Sequence, residues 1–376
     1  MLCQTATAST RRGSHSAGAD NRDLSFDFAK GTLIILVIVG HLLQYIVHRD
    51  NQFWYSPYFK SIYMFHMPLF MAISGYLCSG TLLRKSLTRS ITDRAKQLLL
   101  PMLFWCAFIE TAKLVVFSPA SSVTAGMVDF SKEFIGTYWF LWATFVSFVV
   151  IKVLTVCDRL SKWIICISAI GVACVPATFS IVPLIKYTYP FFCLGFLLAQ
   201  SSERWTSIIL RYKPPLLVLL AIIASVCFLA WGKETYAYNN LVVMHDAESA
   251  KQVLLMFAGS VAASAVAMEC VIQCWRLGCA SPITRFVAVE LGQSTLLLYL
   301  LQGTVFRLMD LIPFGERWDL TTRIAVASML GVAIVVIAIS VRWIVRDLGC
   351  ISRVVFGASP RSGLLKAQSV PKDSCG

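Results

Sequence analysis

A chain of 376 residues that is 57% hydrophobic and only 14% charged, with a mean hydropathy of +0.71, lies outside the composition of water-soluble globular domains. The expectation is an all-α, polytopic helical membrane protein partnered by the lipid bilayer. The formal net charge of +13 would suggest nucleic acid as partner for a soluble protein, but membrane topology accounts for it here and no nucleic-acid partner is expected. The thirteen cysteines lie mostly in apolar runs as small apolar fillers, and Cys270-x3-Cys274 lacks a partner set, so neither a metal site nor a secreted disulfide framework is expected.

In chain order, residues 1–25 are polar, rich in Ser, Thr and Ala, and are expected to form a disordered cytoplasmic tail. Ser25 or Asp27 is then placed to cap a helix. The stretch 27–41, DFAKGTLIILVIVGH, runs from a polar end into a bilayer-length apolar segment. Lys30 and His41 are eleven residues apart, so they share one helical face about 16 Å apart along the axis, with Asp27 near that face. Lys30 then lies at the membrane boundary and His41 well inside it. A titratable imidazole at that depth is costly and marks a functional site, although a neighbouring helix can satisfy a purely structural histidine.

A second segment, Phe59–Ser79, carries His66-Met67-Pro68 and Ser74-Gly75-Tyr76-Leu77. The proline predicts a kink that frees a backbone carbonyl next to His66, and Gly75 permits close approach of another backbone. Residues 80–96 are the densest basic loop, with Arg84, Lys85, Arg89, Arg94 and Lys96. The third span, about 97–118, includes Glu110 and Lys113, three apart and suited to neutralise one another. Tyr138-Trp139-Phe140-Leu141-Trp142 opens a fourth span as an interfacial aromatic cluster. Further spans are expected at 163–182, 184–201, 215–232, 252–274, 286–309 and 321–345, which makes about ten. The membrane domain then occupies 26–350, and 351–376 form a polar cytoplasmic tail.

Connections 80–96, 158–162, 202–214 and 275–285 together hold twelve Lys and Arg, against five in the alternate set 48–58, 119–137, 233–251 and 310–320. This is the positive-inside bias, and it places both termini in the cytoplasm.

Lys30-x10-His41, Phe65-His66-Met67-Pro68-Leu69-Phe70 and Ser74-Gly75-Tyr76-Leu77 together resemble acyltransferase family 3, the integral-membrane O-acyltransferases of cell-surface sugars. The chain is most similar to the fucose 4-O-acetylase-like branch. The resemblance extends to Arg94 ahead of Pro101, to Trp139-Phe140-Leu141, and to Leu291-Gly292-Gln293-Ser294 leading into Leu298-Tyr299-Leu300-Leu301. Two departures stand out: Lys30 replaces the usual arginine, keeping charge without the bidentate fork, and Gln302 stands where many relatives have histidine.

The resemblance implies polysaccharide O-acetylation at the cell membrane by a multi-pass enzyme. Acetyl-CoA (an acyl-CoA) would be the donor substrate, with no bound cofactor, and a cell-surface or lipid-linked sugar the acceptor. His41 would act as base or acyl shuttle, Lys30 would attract the donor, and Asp27 would orient Lys30. His66, Ser74, Tyr76, Arg94, Trp139 and Tyr299 would bind substrate, Arg94 as a phosphate contact. The alternative from another class is a transporter or exporter of a small polar or acylated molecule, suggested by the proline-broken fifth and sixth spans and by Glu110, Lys113, Glu269 and Arg307. A membrane scaffold leaves His41 and His66 without a role.

Overall fold

The structure, a computed structural model, describes residues 23–48, 51–117, 123–156, 162–201, 207, 211–309 and 318–357. The expected tails at 1–22 and 358–376 lie outside the described residues. Among those described there are helices and no strands.

Helix α1 spans Leu24–Leu42 and continues as a π-helical turn, Leu43–Val47. Its cap is Asp23, whose carboxylate accepts from the Ser25 N–H at 2.9 Å, rather than Ser25 or Asp27. The 24 residues from Leu24 to Val47 cover roughly 36 Å, enough to cross a bilayer core. The second segment is broken rather than kinked. Helix α2 is Pro57–Tyr63, and α3 is His66–Arg84. Pro68 falls in the first turn of α3, where its missing N–H costs nothing. Helix α4 follows at Leu87–Phe117, so the expected basic loop 80–96 is a two-residue turn with its charges on two helix ends. There Lys85 pairs with Asp93 at 2.7 Å.

Helices α5 (Val123–Gly136), α6 (Trp139–Val156), α7 (Lys162–Ala173), α8 (Val182–Ala199), α9 (Lys213–Ala230) and α10 (Ala247–Gly278) come next. The expected fifth span, 163–182, is the twelve-residue α7, which covers only about 18 Å before the chain leaves helical geometry. Helix α11 (Pro282–Phe286) runs through a π-helical turn, Val287–Leu291, into α12 (Thr295–Met309) with a bend of 76°. Helix α13 is Leu320–Val345. Helix α14, Gly349–Phe356, seats Ser352 and Val355 in the interior, and Val355 accepts from Trp105 Nε1 at 3.0 Å. The expected domain limit at 350 therefore falls inside a packed helix. Of the ten expected spans, eight are helices long and apolar enough to cross a membrane, one is the bent pair, and α7 is short. The chain is a multi-pass helical membrane protein.

Helix α1 is the axis of this arrangement, in contact with α3, α10, α12, α13 and the 287–291 turn. Ala29, Leu33 and Ile34 are sealed from solvent. At the Lys30 end, glycines bring backbone onto backbone. A Cβ on Gly31 would lie 2.2 Å from the Val287 carbonyl oxygen, and one on Gly292 would lie 2.0 Å from that of Asp27. Gly75 of α3 meets the backbone of α8 in the same way, as the sequence suggests.

Candidate active site

The π-helical turn at 287–291 and the bend after it leave carbonyls without helical partners, and Arg342 of α13 collects them. Its guanidinium donates to Val289 O and Glu290 O at 3.0 Å, to Ser294 Oγ at 3.0 Å and to Gln293 Oε1 at 3.1 Å, with Glu290 Oε2 at 3.3 Å. The clamp fixes where α12 begins, and two turns later α12 delivers Gln302 to the last turn of α1. There His41 Nδ1 lies 2.6 Å from Gln302 Oε1. The amide oxygen is an acceptor, so Nδ1–H donates and Nε2 carries the lone pair. Gln302 thus sets both the tautomer and the orientation of the imidazole.

His41 and Gln302 line a cavity of about 270 Å³ whose walls also include His66, Trp139, Tyr299 and Arg307. Aromatic rings form much of it. Phe306 stacks on Tyr45 at 5.3 Å and meets the His41 ring edge-on at 5.5 Å, and Trp139 meets Tyr238 at 6.2 Å. Trp54, Thr137 and Tyr238 reach it from the connections at 51–56, 137–138 and 233–246. A larger, apolar groove of about 790 Å³ runs between α1 and α13 but contains none of these polar groups.

His66 opens α3 after the break. Its Nδ1–H donates to Ile62 O at 2.8 Å, a carbonyl that also accepts from the Phe65 N–H at 3.3 Å, while its ring lines the same cavity. Trp139 and Tyr299 also line it.

Other residues expected at the site lie elsewhere. Asp27 and Lys30 form a 2.7 Å ion pair three turns away, with Asp27 almost fully buried. The 11-residue spacing places that pair at the opposite end of α1 because the helix is continuous between them. Tyr76 stacks on Phe26 at 5.0 Å near the Lys30 end. Ser74, two turns beyond His66, does not reach the cavity wall. Arg94 bonds Gln97 at 2.8 Å and sits over the Phe148 ring at 5.6 Å. Tyr76, Ser74 and Arg94 are therefore not part of the His41 cavity.

Three residues escaped the sequence reading. Gln302 registered there only as a departure from a histidine, Arg307 only as an ionisable group, and Glu133 not at all. Glu133 is buried at the end of α5 and accepts from Lys113 Nζ at 2.6 Å, Arg307 Nε at 2.6 Å and Thr137 Oγ1 at 2.5 Å. Burial alone would raise its carboxyl pKa, but these three bonds outweigh it and hold the group below the ordinary carboxylate range. Glu110 joins through Lys113 at 2.8 Å. The groups that suggested a transporter are thus engaged in ion pairs, as is Glu269 with Lys213 at 2.7 Å.

An imidazole with a fixed tautomer, one free nitrogen lone pair and an enclosing aromatic cavity is suited to accept a proton from a bound hydroxyl. The family model for an acyltransferase domain matches residues 23–343, nearly all of the membrane domain. The chain is 64% identical over 371 residues to a nodulation protein NolL of Mesorhizobium japonicum, covering 98% of this chain and all of the relative. It is 62% identical over 357 residues to a NolL of Sinorhizobium fredii, covering 95% of this chain and 98% of that one. No solved structure matches the chain. With the family match spanning α1 to α13 and both relatives aligned almost end to end, the chain belongs to the acyltransferase-3 family and is a membrane O-acyltransferase.

Proposed function

We propose that this enzyme moves an acetyl group from acetyl-CoA to a hydroxyl of a cell-surface or lipid-linked sugar, with His41 as the general base. The observation that carries the reading is the His41–Gln302 pair inside the 270 Å³ aromatic cavity. Aromatic faces suit the C–H faces of a sugar ring, and Nε2 suits one of its hydroxyls. The donor would approach from the end of α1 that carries Lys30, for which the charge bias of the connections supports a cytoplasmic face. The extended pantetheine arm of coenzyme A spans several helical turns, which fits the separation of Lys30 from His41. The acceptor would enter from the other face, because Trp54, Thr137 and Tyr238 belong to the poorly basic set of connections. The enzyme would then sit in the cell membrane with both termini cytoplasmic.

The resemblance to the fucose 4-O-acetylase-like branch supports a fucose hydroxyl as the first acceptor to try, and the relatives' printed role in nodulation supports a sugar presented outside the cell. The test incubates purified protein in lipid nanodiscs with acetyl-labelled acetyl-CoA and a fucosylated glycan. Base-labile label on the glycan is the expected result. Label that stays on the donor across fucosylated and other glycans would overturn the reading.

A further inference from the structure

The Glu133 network reaches the cavity through Arg307, and nothing in the proton transfer by His41 uses it. Among the described residues lining the cavity, Arg307 is the one with a permanent charge. Its side chain is 39% exposed, so the cation is part-solvated as well as paired. Its Nε is gripped at 2.6 Å by Glu133, whose side chain is only 4% exposed. Thr137, which donates to the same carboxylate, also lines the cavity. Glu110, Lys113, Glu133 and Arg307 sum to zero formal charge, so the two carboxylates oppose a new negative charge beside Arg307 less than they would without their cations.

Position supports the same role. Arg307 follows Gln302 by five residues on α12, and Phe306 between them touches the His41 ring. One rigid helix therefore carries the group that fixes the base and the group that holds the cation. His41 and Arg307 line the same cavity of about 270 Å³, so a thioester bound there and under attack near His41 shares that cavity with the guanidinium.

We propose that Arg307 is a catalytic residue that stabilises the oxyanion of the transfer, with Glu133 as its positioning residue; the inference rests on the base role of His41 proposed above. The acceptor hydroxyl oxygen bonds to the carbonyl carbon of the acetyl thioester as its proton passes to His41 Nε2. The carbonyl π pair moves onto oxygen, opposite Arg307. Collapse re-forms the carbonyl, breaks the carbon–sulfur bond, and returns the proton from His41 to the departing thiolate as free thiol. No other reactant is needed.

The test measures kcat and both KM values in nanodiscs for wild type, Arg307→Gln, Arg307→Lys and His41→Ala, with acetyl-CoA and the fucosylated glycan. Arg307→Gln lowers kcat about 10²–10³-fold, the scale of losing one oxyanion donor, with both KM values changed less than about threefold. Arg307→Lys recovers at least about tenfold of that loss and still falls about 3–30-fold short of wild type, because the charge returns without the fork. A kcat for Arg307→Gln within about threefold of wild type overturns the proposal, as does a rise in either KM at constant kcat, which would make Arg307 a ground-state anion site. Equal loss in the Lys and Gln variants overturns it too. If Arg307→Gln fails to fold, Arg307→Lys decides alone: a drop in kcat of about 3–30-fold supports the proposal and an unchanged kcat refutes it. Full transfer by His41→Ala is a separate result, which removes the base role and not the charge at Arg307.

Discussion

At the Lys30 end of α1, backbone meets backbone through Gly31 and Gly292, and Arg342 gathers the carbonyls of a broken helix. At the His41 end of the same helix, side chains stand back around 270 Å³ of open volume, and polar groups face inward. The difference shows how one helix serves two purposes. Close packing at one end fixes the register of α1 against α12, and that register brings Gln302 to His41 at the other. Substitutions at the packed end should cost folded protein, and those at the cavity end should cost turnover with the fold retained.

The sharpest way to break this contrast is Gly292→Ala. Its Cβ would overlap the Asp27 carbonyl oxygen at 2.0 Å, a contact between two backbones that no rotamer change relieves. The variant should lose most of its folded, detergent-soluble protein, measured by size-exclusion yield. Recovery near wild type would mean that the packed end tolerates the displacement.

Arg342→Leu is the next largest. It removes the donor to the part-buried carbonyls of Val289 and Glu290, at a cost of up to about 1–3 kcal/mol for each group left unsatisfied. Thermal unfolding in detergent should show a clear fall in midpoint. Arg342→Lys should restore part of it, since an ammonium keeps up to three donors.

Gln302→Ala tests the cavity end. It should keep the wild-type unfolding midpoint within a few degrees and lower turnover about 10²-fold, because the imidazole loses its tautomer partner. Loss of folded protein instead would place Gln302 with the packing residues.

Smaller effects are expected at His66 and Lys30. His66→Gln should keep measurable transfer, since a glutamine amide can still donate to Ile62 O. Lys30→Arg should leave transfer close to wild type, as the pair with Asp27 survives, and Lys30→Ala should raise the KM for acetyl-CoA severalfold. A Lys30→Ala variant with unchanged donor KM would leave that end of α1 with packing alone.

The membrane class, the long apolar helices and the depth of His41 were legible in the sequence, since hydropathy and an eleven-residue spacing are local signals, whereas His66, Trp139 and Tyr299 were drawn to the site by the family resemblance. The break before His66 was legible as a proline effect, but its form was not. Pro68 is as compatible with a first turn as with a kink, and only the packing of α3 on α8 decides between them. Ser74, Tyr76 and Arg94 were drawn toward His41 by the shared motif, although a run of ten residues on one helix necessarily carries Tyr76 about 15 Å from His66. Gln302, Arg307 and Glu133 come together through the bend at 287–295 and through partners 174 and 261 residues apart. No window of a single chain records such pairings. A glutamine followed five residues later by arginine, on a helix downstream of a break, is the only trace they leave.

The claim on which the account turns is that His41 performs the transfer and does not merely satisfy a neighbouring helix. Its most direct test is the rate of acetyl transfer to the fucosylated glycan by His41→Ala protein that elutes and unfolds as wild type does. Transfer at background, a loss of at least about 10²-fold, is the expected result. Transfer within a few-fold of wild type by that folded variant would contradict it.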